Sequence, residues 1–159
     1  MTLEEKAAQM MCMWQEKAQK LVDAEGNFDY FKAHAAFKEG NGVGQVGRPS
    51  DAGGPPSTPE LGLNARRMAE FTNAVQKFFL EESRLGIPVI FHEECLHGLA
   101  AKDATSFPQP IGLGATFNPA LVESLYAMAA YEARMADAWA QVIHPVLTQA
   151  ASPKLFLDP

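Results

Sequence analysis

The sequence has little of what marks nucleic-acid-binding and membrane proteins. Its thirteen lysines and arginines are scattered without a basic stripe, and nineteen acidic residues give a net charge of −6. Binding to a phosphate backbone depends on clustered positive charge, so we expect no nucleic-acid partner. Apolar runs end well before the roughly 18–20 residues that a membrane helix needs, so we expect no membrane partner either.

Two further shortages bear on the cellular compartment. The N-terminus, TLEEK, is acidic where a secretory signal peptide would be basic, which predicts a cytoplasmic protein. Only two cysteines are present, Cys12 and Cys95, and they lie far apart in a chain with 47% apolar residues. A chain with that apolar content does not require a disulfide framework. We therefore expect a single globular unit.

What the sequence does contain is an alternation of helical patterns with short apolar runs. Thr2 and Glu5 form a capping box, and the apolar spacing that follows predicts a first helix from about Thr2 to Leu21. Strands that alternate with helices are typical of an α/β fold with a parallel sheet. The later predicted elements are a strand around Val43–Val46, a helix from Asn64 with Gly86 as its stop, a strand over Ile87–Phe91, a helix opened by Asn118 and Pro119, and a strand over Gln141–Leu147.

Polar residues follow two of these predicted strands. The segment FHEECLHG spans Phe91–Gly98 and comes at the end of the apolar run IPVIF, while Gly47 and Arg48 follow the earlier strand. In parallel α/β folds, binding residues gather at the carboxyl ends of the strands. The two polar stretches are therefore expected to lie at one edge of the sheet and to form a site.

A metal site is the first hypothesis that FHEECLHG raises, because it contains several metal-ligand types. His92 and His97 are one residue further apart than the two histidines of the zincin motif, which must share a helical face. No CxxC pair is present, although His144 could contribute a third imidazole. The sequence therefore does not favour a metal, and no other cofactor is predicted.

A catalytic carboxylate pair is the second hypothesis. Glycoside hydrolysis uses two carboxyl groups, about 5–5.5 Å apart in retaining enzymes and further apart in inverting ones. Glu93 and Glu94 are adjacent, and if the strand continues that far, their successive side chains point to opposite faces. Only one of the two is therefore expected to face the site.

Four segments in order resemble one known family. They are MTLEEKAAQM, GVGQVGRPSD, IPVIFHEECLHG and SFPQPIGLGATFNP, and the resemblance that they carry extends over about residues 1–147. This pattern resembles the N-terminal (β/α)8 barrel domain of glycoside hydrolase family 3, the β-glucosidase and β-xylosidase family. The resemblance implies a partial TIM barrel of about three parallel βα units preceded by an N-terminal helix.

The resemblance also implies roles for individual residues. Glu94 occupies the position whose carboxylate accepts hydrogen bonds from the hydroxyls of the sugar that is cleaved. His97 is expected to shape the turn behind it, and Arg48 to reach the same site from the neighbouring loop. Glu93 is expected to pair with neighbouring strands or to face solvent. The implied partner is a β-linked saccharide, and no catalytic residue is assigned within this chain.

The family's catalytic residues are expected elsewhere. The resemblance places an aspartate nucleophile on a later barrel strand and an acid/base glutamate in a following domain, and a full barrel takes about 250 residues. The tail, residues 148–159, also departs from the family's arginine-rich run. We therefore expect residues 1–159 to be one incomplete domain that is inactive alone. Two alternatives are a non-catalytic carbohydrate-binding remnant and an interaction protein that forms homo-oligomers through exposed sheet edges.

Overall fold

A computed structural model of the chain describes residues 1–37, 40–51 and 62–138. This part of the chain contains six helices and three strands in an α/β arrangement. In chain order the elements are α1 (Leu3–Ala8), β1 (Cys12–Met13), α2 (Lys17–Lys20), α3 (Tyr30–Phe37), β2 (Gln45–Gly47), α4 (Ala65–Glu82), β3 (Ile90–His92), α5 (Pro110–Gly114) and α6 (Pro119–Ala138).

The three strands form one parallel sheet in the order β1-β2-β3. Met13 pairs with Val46, and Val46 pairs with Phe91, so these three residues form one row across the sheet. All three side chains are buried. The predicted α/β class with parallel strands is therefore confirmed. The strand that precedes FHEECLHG pairs with the strand near Val43.

Helix α4 covers the sheet with the apolar face that the sequence predicts. Asn64 begins it, because its side chain accepts a hydrogen bond from the backbone N–H of Arg67 at 3.1 Å. Each fully buried residue of such a face contributes about 1.5–3 kcal/mol relative to exposure. The predicted apolar positions are all buried: Met68, Phe71, Val75, Phe78 and Phe79.

The single N-terminal helix predicted from Thr2 to Leu21 is wrong. The capping box of Thr2 and Glu5 is present, but α1 ends at Ala8. The chain then enters β1, because Cys12 and Met13 pair with β2, and this non-local pairing overrides the helical spacing. Met10 and Met11, which fit that spacing, are exposed.

Two predicted strands are shifted in position. The strand predicted over Val43–Val46 begins at Gln45, since Gly44 instead donates from its N–H to the carbonyl of Ala8. A Cβ at Gly44 would lie 1.8 Å from the carbonyl oxygen of Gln9, so this approach requires glycine. This contact explains why β2 starts at Gln45 and not at Val43.

The strand predicted over Ile87–Phe91 begins at Ile90 for a related reason. The side chain of Gln76 bonds both the N–H and the carbonyl of Val89, at 3.0 and 2.7 Å, and so replaces a strand partner.

Helix α4 ends at Glu82, ahead of the predicted stop. Gly86, with φ of +60°, lies in the turn that follows.

The last described helix agrees with its predicted start. Asn118 accepts a hydrogen bond from Leu121 N–H at 3.1 Å, and α6 begins at Pro119. The strand predicted over Gln141–Leu147 lies outside the described residues. None of the helices in the described part of the chain has the length and apolarity needed to cross a membrane.

Candidate sugar-binding site

Each strand of the sheet is followed directly by a residue that contributes to one polar cluster. Trp14 follows β1, Arg48 follows β2 and Glu93 follows β3. The strands are parallel, so these residues lie at the same edge, which we call the C-terminal edge of the sheet. The Arg48 N–H donates to the carbonyl of His92 at 2.7 Å and joins the second and third positions.

The loop after β2 is a tight turn, which we call the Arg48–Asp51 turn. The N–H of Asp51 donates to the Arg48 carbonyl at 2.9 Å, and Arg48 itself has φ of +50°. A non-glycine residue in that region is strained and persists only where its surroundings hold it. The ammonium of Lys17, on α2, supplies part of that support by donating to the carbonyls of both Arg48 and Asp51.

Lys17 is completely buried, at 0% exposure. Burial disfavours its charged form and lowers its pKa to about 8, although the nearby carboxylates of Asp51 and Glu93 partly oppose this. The buried ammonium therefore lies among carbonyl oxygens and acidic groups that compensate for its lost hydration.

Trp14 connects the turn to β1. The guanidinium of Arg48 lies over the indole ring, 5.5 Å from its centroid, and the indole N–H donates to Asp51 Oδ2 at 3.4 Å. Arg48 Nε and Asp51 Oδ1 are buried and have no hydrogen-bond partner among the residues that the structure describes. The position of the guanidinium is therefore set by the aromatic ring and by the backbone of the turn.

The two glutamates of FHEECLHG have different environments. Glu93 accepts hydrogen bonds from the N–H of Ser50 at 2.6 Å and from its hydroxyl at 2.8 Å. Burial raises the pKa of Glu93 to about 7, against the effect of the Ser50 bonds and of Lys17 and Arg48. The sequence predicted that Glu93 pairs with neighbouring strands or faces solvent, and the structure gives it a partner, Ser50, in the loop that follows the neighbouring strand β2. Glu94, by contrast, is exposed.

The remaining segment turns back beneath these residues. The carbonyl of Glu94 accepts from Ala100 N–H at 3.0 Å, and the carbonyl of His97, which is half-buried, accepts from Phe107 N–H at 2.7 Å. Gly98 has φ of +99°, and a Cβ there would lie 2.0 Å from the Thr105 carbonyl oxygen. Glycine is therefore required in this turn.

The three predicted site residues, Arg48, Glu94 and His97, thus lie on two adjoining loops at the C-terminal edge. In the described part of the chain, no hydrogen bond joins their side chains to one another. The connection between the loops is made instead by Ser50, whose hydroxyl also lies 3.3 Å from the Ala100 carbonyl. Whether these residues contact a sugar stays a prediction.

His92 packs within the sheet. Its ring lies against Gly47, where a Cβ would come within 2.9 Å of two ring atoms, and its Nδ1 is 4.0 Å from the sulfur of Cys12. Within residues 1–37, 40–51 and 62–138, no group of three or more His, Cys, Asp or Glu side chains is arranged to hold a metal ion. His144 lies outside the described residues.

Comparison with known proteins assigns the family. The model of the glycosyl hydrolase family 3 N terminal domain matches residues 2–154. The chain belongs to this family. A protein of Formosa agariphila named as a beta-xylosidase is 32% identical over 136 residues, which is 85% of this chain and 16% of that protein. A solved β-glucosidase from Erythrobacter marinus is 32% identical, with a TM-score of 0.53 over 82% of this chain and 15% of that one.

This family 3 chain therefore spans about a sixth of the length of these relatives. The three-stranded open sheet with its helices corresponds to part of a TIM-barrel-like N-terminal domain. The family membership predicted from the four ordered segments is confirmed. Members of this family act on saccharides.

Several members of the cluster at the C-terminal edge were not predicted. Ser50 and Asp51 belong to the matching segment GVGQVGRPSD, so their place after a strand was a usable signal. Lys17 and Trp14 were assigned to one continuous helix, whereas Trp14 follows β1 and Lys17 begins the short helix α2, and the apolar spacing gave no sign of a strand ending at Met13. Their contribution depends on contacts between distant parts of the chain.

Proposed function

We propose that this chain forms part of the sugar-binding wall of a family 3 glycosidase that hydrolyses terminal β-glucosides or β-xylosides. Glu94 is the residue that binds sugar hydroxyls, with Arg48 and His97 beside it. An ionised carboxylate is an acceptor with several lone pairs, so it can accept charge-assisted hydrogen bonds from two hydroxyls. Such bonds orient the ring and strengthen as it distorts toward the oxocarbenium-like transition state.

The observation that carries the proposal is the contrast between the two neighbouring glutamates. Both oxygens of the Glu93 carboxylate accept hydrogen bonds from Ser50, whereas Glu94 is exposed in the loop after β3. An acceptor for a ligand must be accessible and must not be occupied by the protein. Of the two, only Glu94 meets both conditions.

Arg48 supports the proposal through its charge and its place. It follows β2, which pairs with β3, and Glu94 lies in the loop after β3. Arg48 makes no ion pair in the described part of the chain. A guanidinium with unused donors suits the oxygen-rich surface of a saccharide. His97 is half-buried behind Glu94, where it orients the turn more readily than it transfers a proton.

The substrate class follows from chemistry together with the named activities of the relatives, a β-xylosidase and a β-glucosidase. In the family, the nucleophile and the acid/base residue are expected on elements after those described. We therefore propose that the 159-residue chain by itself does not hydrolyse these substrates, and that it forms one incomplete barrel domain over residues 1–159 with a divergent tail at 148–159.

The decisive experiment compares adjacent, identical substitutions in a full-length relative that carries the same segment. Replacing the residue equivalent to Glu94 by glutamine should lower kcat/KM by about tenfold to over a hundredfold. This range corresponds to the loss of about 1.5–3 kcal/mol, the contribution of one charged hydrogen bond. The same change at the position of Glu93 should cost much less. Equal losses, or a larger loss at Glu93, would show that Glu93 is the working carboxylate.

A second experiment tests the isolated chain. No release of nitrophenol from aryl β-glucosides or β-xylosides above a buffer blank is expected. Turnover that survives repurification and disappears in Glu94→Ala would contradict the proposed inactivity. Activity that a chelator abolishes and zinc restores would favour the metal hypothesis instead.

A second candidate function has one structural observation in its favour. Strand β1 forms one edge of the described sheet, and exposed Met10 and Met11 precede it. Unpaired strand edges promote association, so the chain would act as a homo-oligomeric interaction protein. Analytical ultracentrifugation decides this: a monomer at all concentrations would leave the sugar-binding proposal alone.

A further inference from the structure

We propose that Lys17 and Glu93 are positioning residues, which together fix the Arg48–Asp51 turn and thereby hold the Arg48 guanidinium over Trp14 at the C-terminal edge. Neither side chain would touch the sugar. The proposal deepens the proposed function and rests on it only in taking Arg48 to be a sugar contact. The positioning of the turn can be tested without any sugar.

The turn is held from one side by Lys17. Its ammonium donates to the carbonyls at both ends of the turn, those of Arg48 and Asp51. The lysine is fully buried, so water cannot replace it as a donor to these oxygens. Losing the ammonium would leave the two carbonyls without that partner and free the ends of the turn to separate.

The turn is held from the other side by Glu93. Its carboxylate accepts from both the backbone N–H and the hydroxyl of Ser50, which lies in the middle of the turn. The two holding groups come from different elements, the helix after β1 and the loop after β3. The turn after β2 is therefore fixed by the segments that follow both neighbouring strands of the sheet.

Arg48 needs this support because of its backbone. Its φ of +50° is unfavourable for a residue with a side chain and relaxes when its surroundings do not hold it. Its side chain makes a cation–π contact with Trp14 but no ion pair in the described part of the chain. The direction of the guanidinium therefore follows the backbone of the turn.

The charges at this position balance. Lys17 and Arg48 are cationic, and Asp51 and Glu93 are the anionic groups that face Lys17. Removing Lys17 leaves the acidic groups that face it without their buried cation. A coupled set of this kind is expected to change as a unit, which makes Trp14, in contact with two of the four, a suitable reporter.

The experiment measures Trp14 emission in the full chain carrying Trp139→Phe, which leaves one tryptophan. Lys17→Met should shift the emission to longer wavelength and increase quenching by acrylamide, because the Arg48 contact is lost. Lys20→Met, a matched change on the same helix, should leave both unchanged. Glu93→Ala should act like Lys17→Met, and Glu93→Gln should restore the signal, since an amide can still accept from Ser50 N–H.

Folding is checked by far-UV circular dichroism. If Glu93→Ala or Lys17→Met does not fold, Ser50→Ala, which removes only the hydroxyl bond, should give a smaller shift of the same sign. Emission that is identical in the Trp139→Phe parent and in its folded Lys17→Met or Ser50→Ala variant would overturn the proposal. A shift in Lys20→Met equal to that in Lys17→Met would do the same.

A kinetic measurement separates this inference from the proposed function. In a full-length relative with the same segments, the change equivalent to Lys17→Met should raise KM for an aryl β-glycoside by about tenfold, with a smaller change in kcat. A shifted Trp14 emission with unchanged KM would mean that the turn is positioned as proposed but does not contact sugar. Unchanged emission would refute the positioning role whatever the kinetics.

Discussion

Glu93 should make the stability of this protein fall as the pH rises toward neutrality. Its pKa in the folded protein is raised by burial from 4.5 to about 7. A group with a raised folded pKa contributes stability that is fully present below the unfolded value and is lost as the pH rises through the folded value. The window is therefore about pH 4.5 to 7. Each pKa unit corresponds to about 1.4 kcal/mol, so the full effect is about 3 kcal/mol.

Other groups with shifted pKa values act outside this window. The pKa of Lys17 is lowered by burial from 10.5 to about 8, so its contribution increases stability as the pH rises between about 8 and 10.5. The pKa of Glu5 is lowered, chiefly by its bond to Arg84, so stability from that pair is lost as the pH falls below its ordinary range. Between pH 4.5 and 7, the Glu93 carboxyl dominates.

The assay is urea denaturation followed by far-UV circular dichroism at about pH 5 and about pH 7.5. The free energy of unfolding of the wild-type chain should fall by up to about 3 kcal/mol between these values. Glu93→Gln, which cannot ionise, should lose most of that dependence, while Glu94→Gln should keep it because the charge it removes is exposed. The same pH dependence in wild type and Glu93→Gln would refute the assignment to Glu93.

Three further predictions concern stability at neutral pH, all measured by urea denaturation. Lys17→Met should destabilise by about 3 kcal/mol because it leaves buried carbonyls and acids without their cation, whereas Lys20→Met should change stability by under about 0.5 kcal/mol; equal effects would contradict the buried role. Phe79→Ala should cost about 3–5 kcal/mol through a core cavity, far more than Leu80→Ala on the exposed side, and a similar cost for both would be inconsistent with the packing of α4. Asn64→Ala should cost about 1 kcal/mol by removing the N-cap, and no loss would argue against that cap.

Helix α4 was predictable from the sequence because its determinants are local. Its N-cap, Asn64, and its buried apolar face repeat over many turns, and each turn supports the same assignment. The region after α1 was not predictable in this way. Strand β1 has only two residues and exists because Cys12 and Met13 pair with residues more than thirty positions away. Residue spacing within a short window carries no information about such a partner.

The candidate site likewise has one part that was predicted from the sequence and one part that was not. A difference between the two adjacent glutamates was expected from the sequence, although β3 ends at His92 and the difference arises from the bonds of Glu93 to Ser50 and not from strand alternation. The groups that hold the Arg48–Asp51 turn could not be predicted from the sequence. Lys17 reaches its two carbonyls across sequence separations of 31 and 34 residues, and Ser50 reaches Glu93 across 43. A buried lysine in particular contradicts the usual preference of this residue for solvent, so only the three-dimensional structure reveals it.

The contrast between the glutamates also supplies a physical reason for the proposed role that does not depend on family position. A carboxylate offers two oxygens with about four lone-pair sites, and binding a pair of sugar hydroxyls uses both oxygens at once. In Glu93, one hydrogen bond from Ser50 already occupies each oxygen and fixes the plane of the carboxylate. A sugar could displace those bonds only by releasing the turn that carries Arg48. Glu94 has neither constraint within the described part of the chain, so ligand binding there leaves the turn, and the arginine it positions, in place.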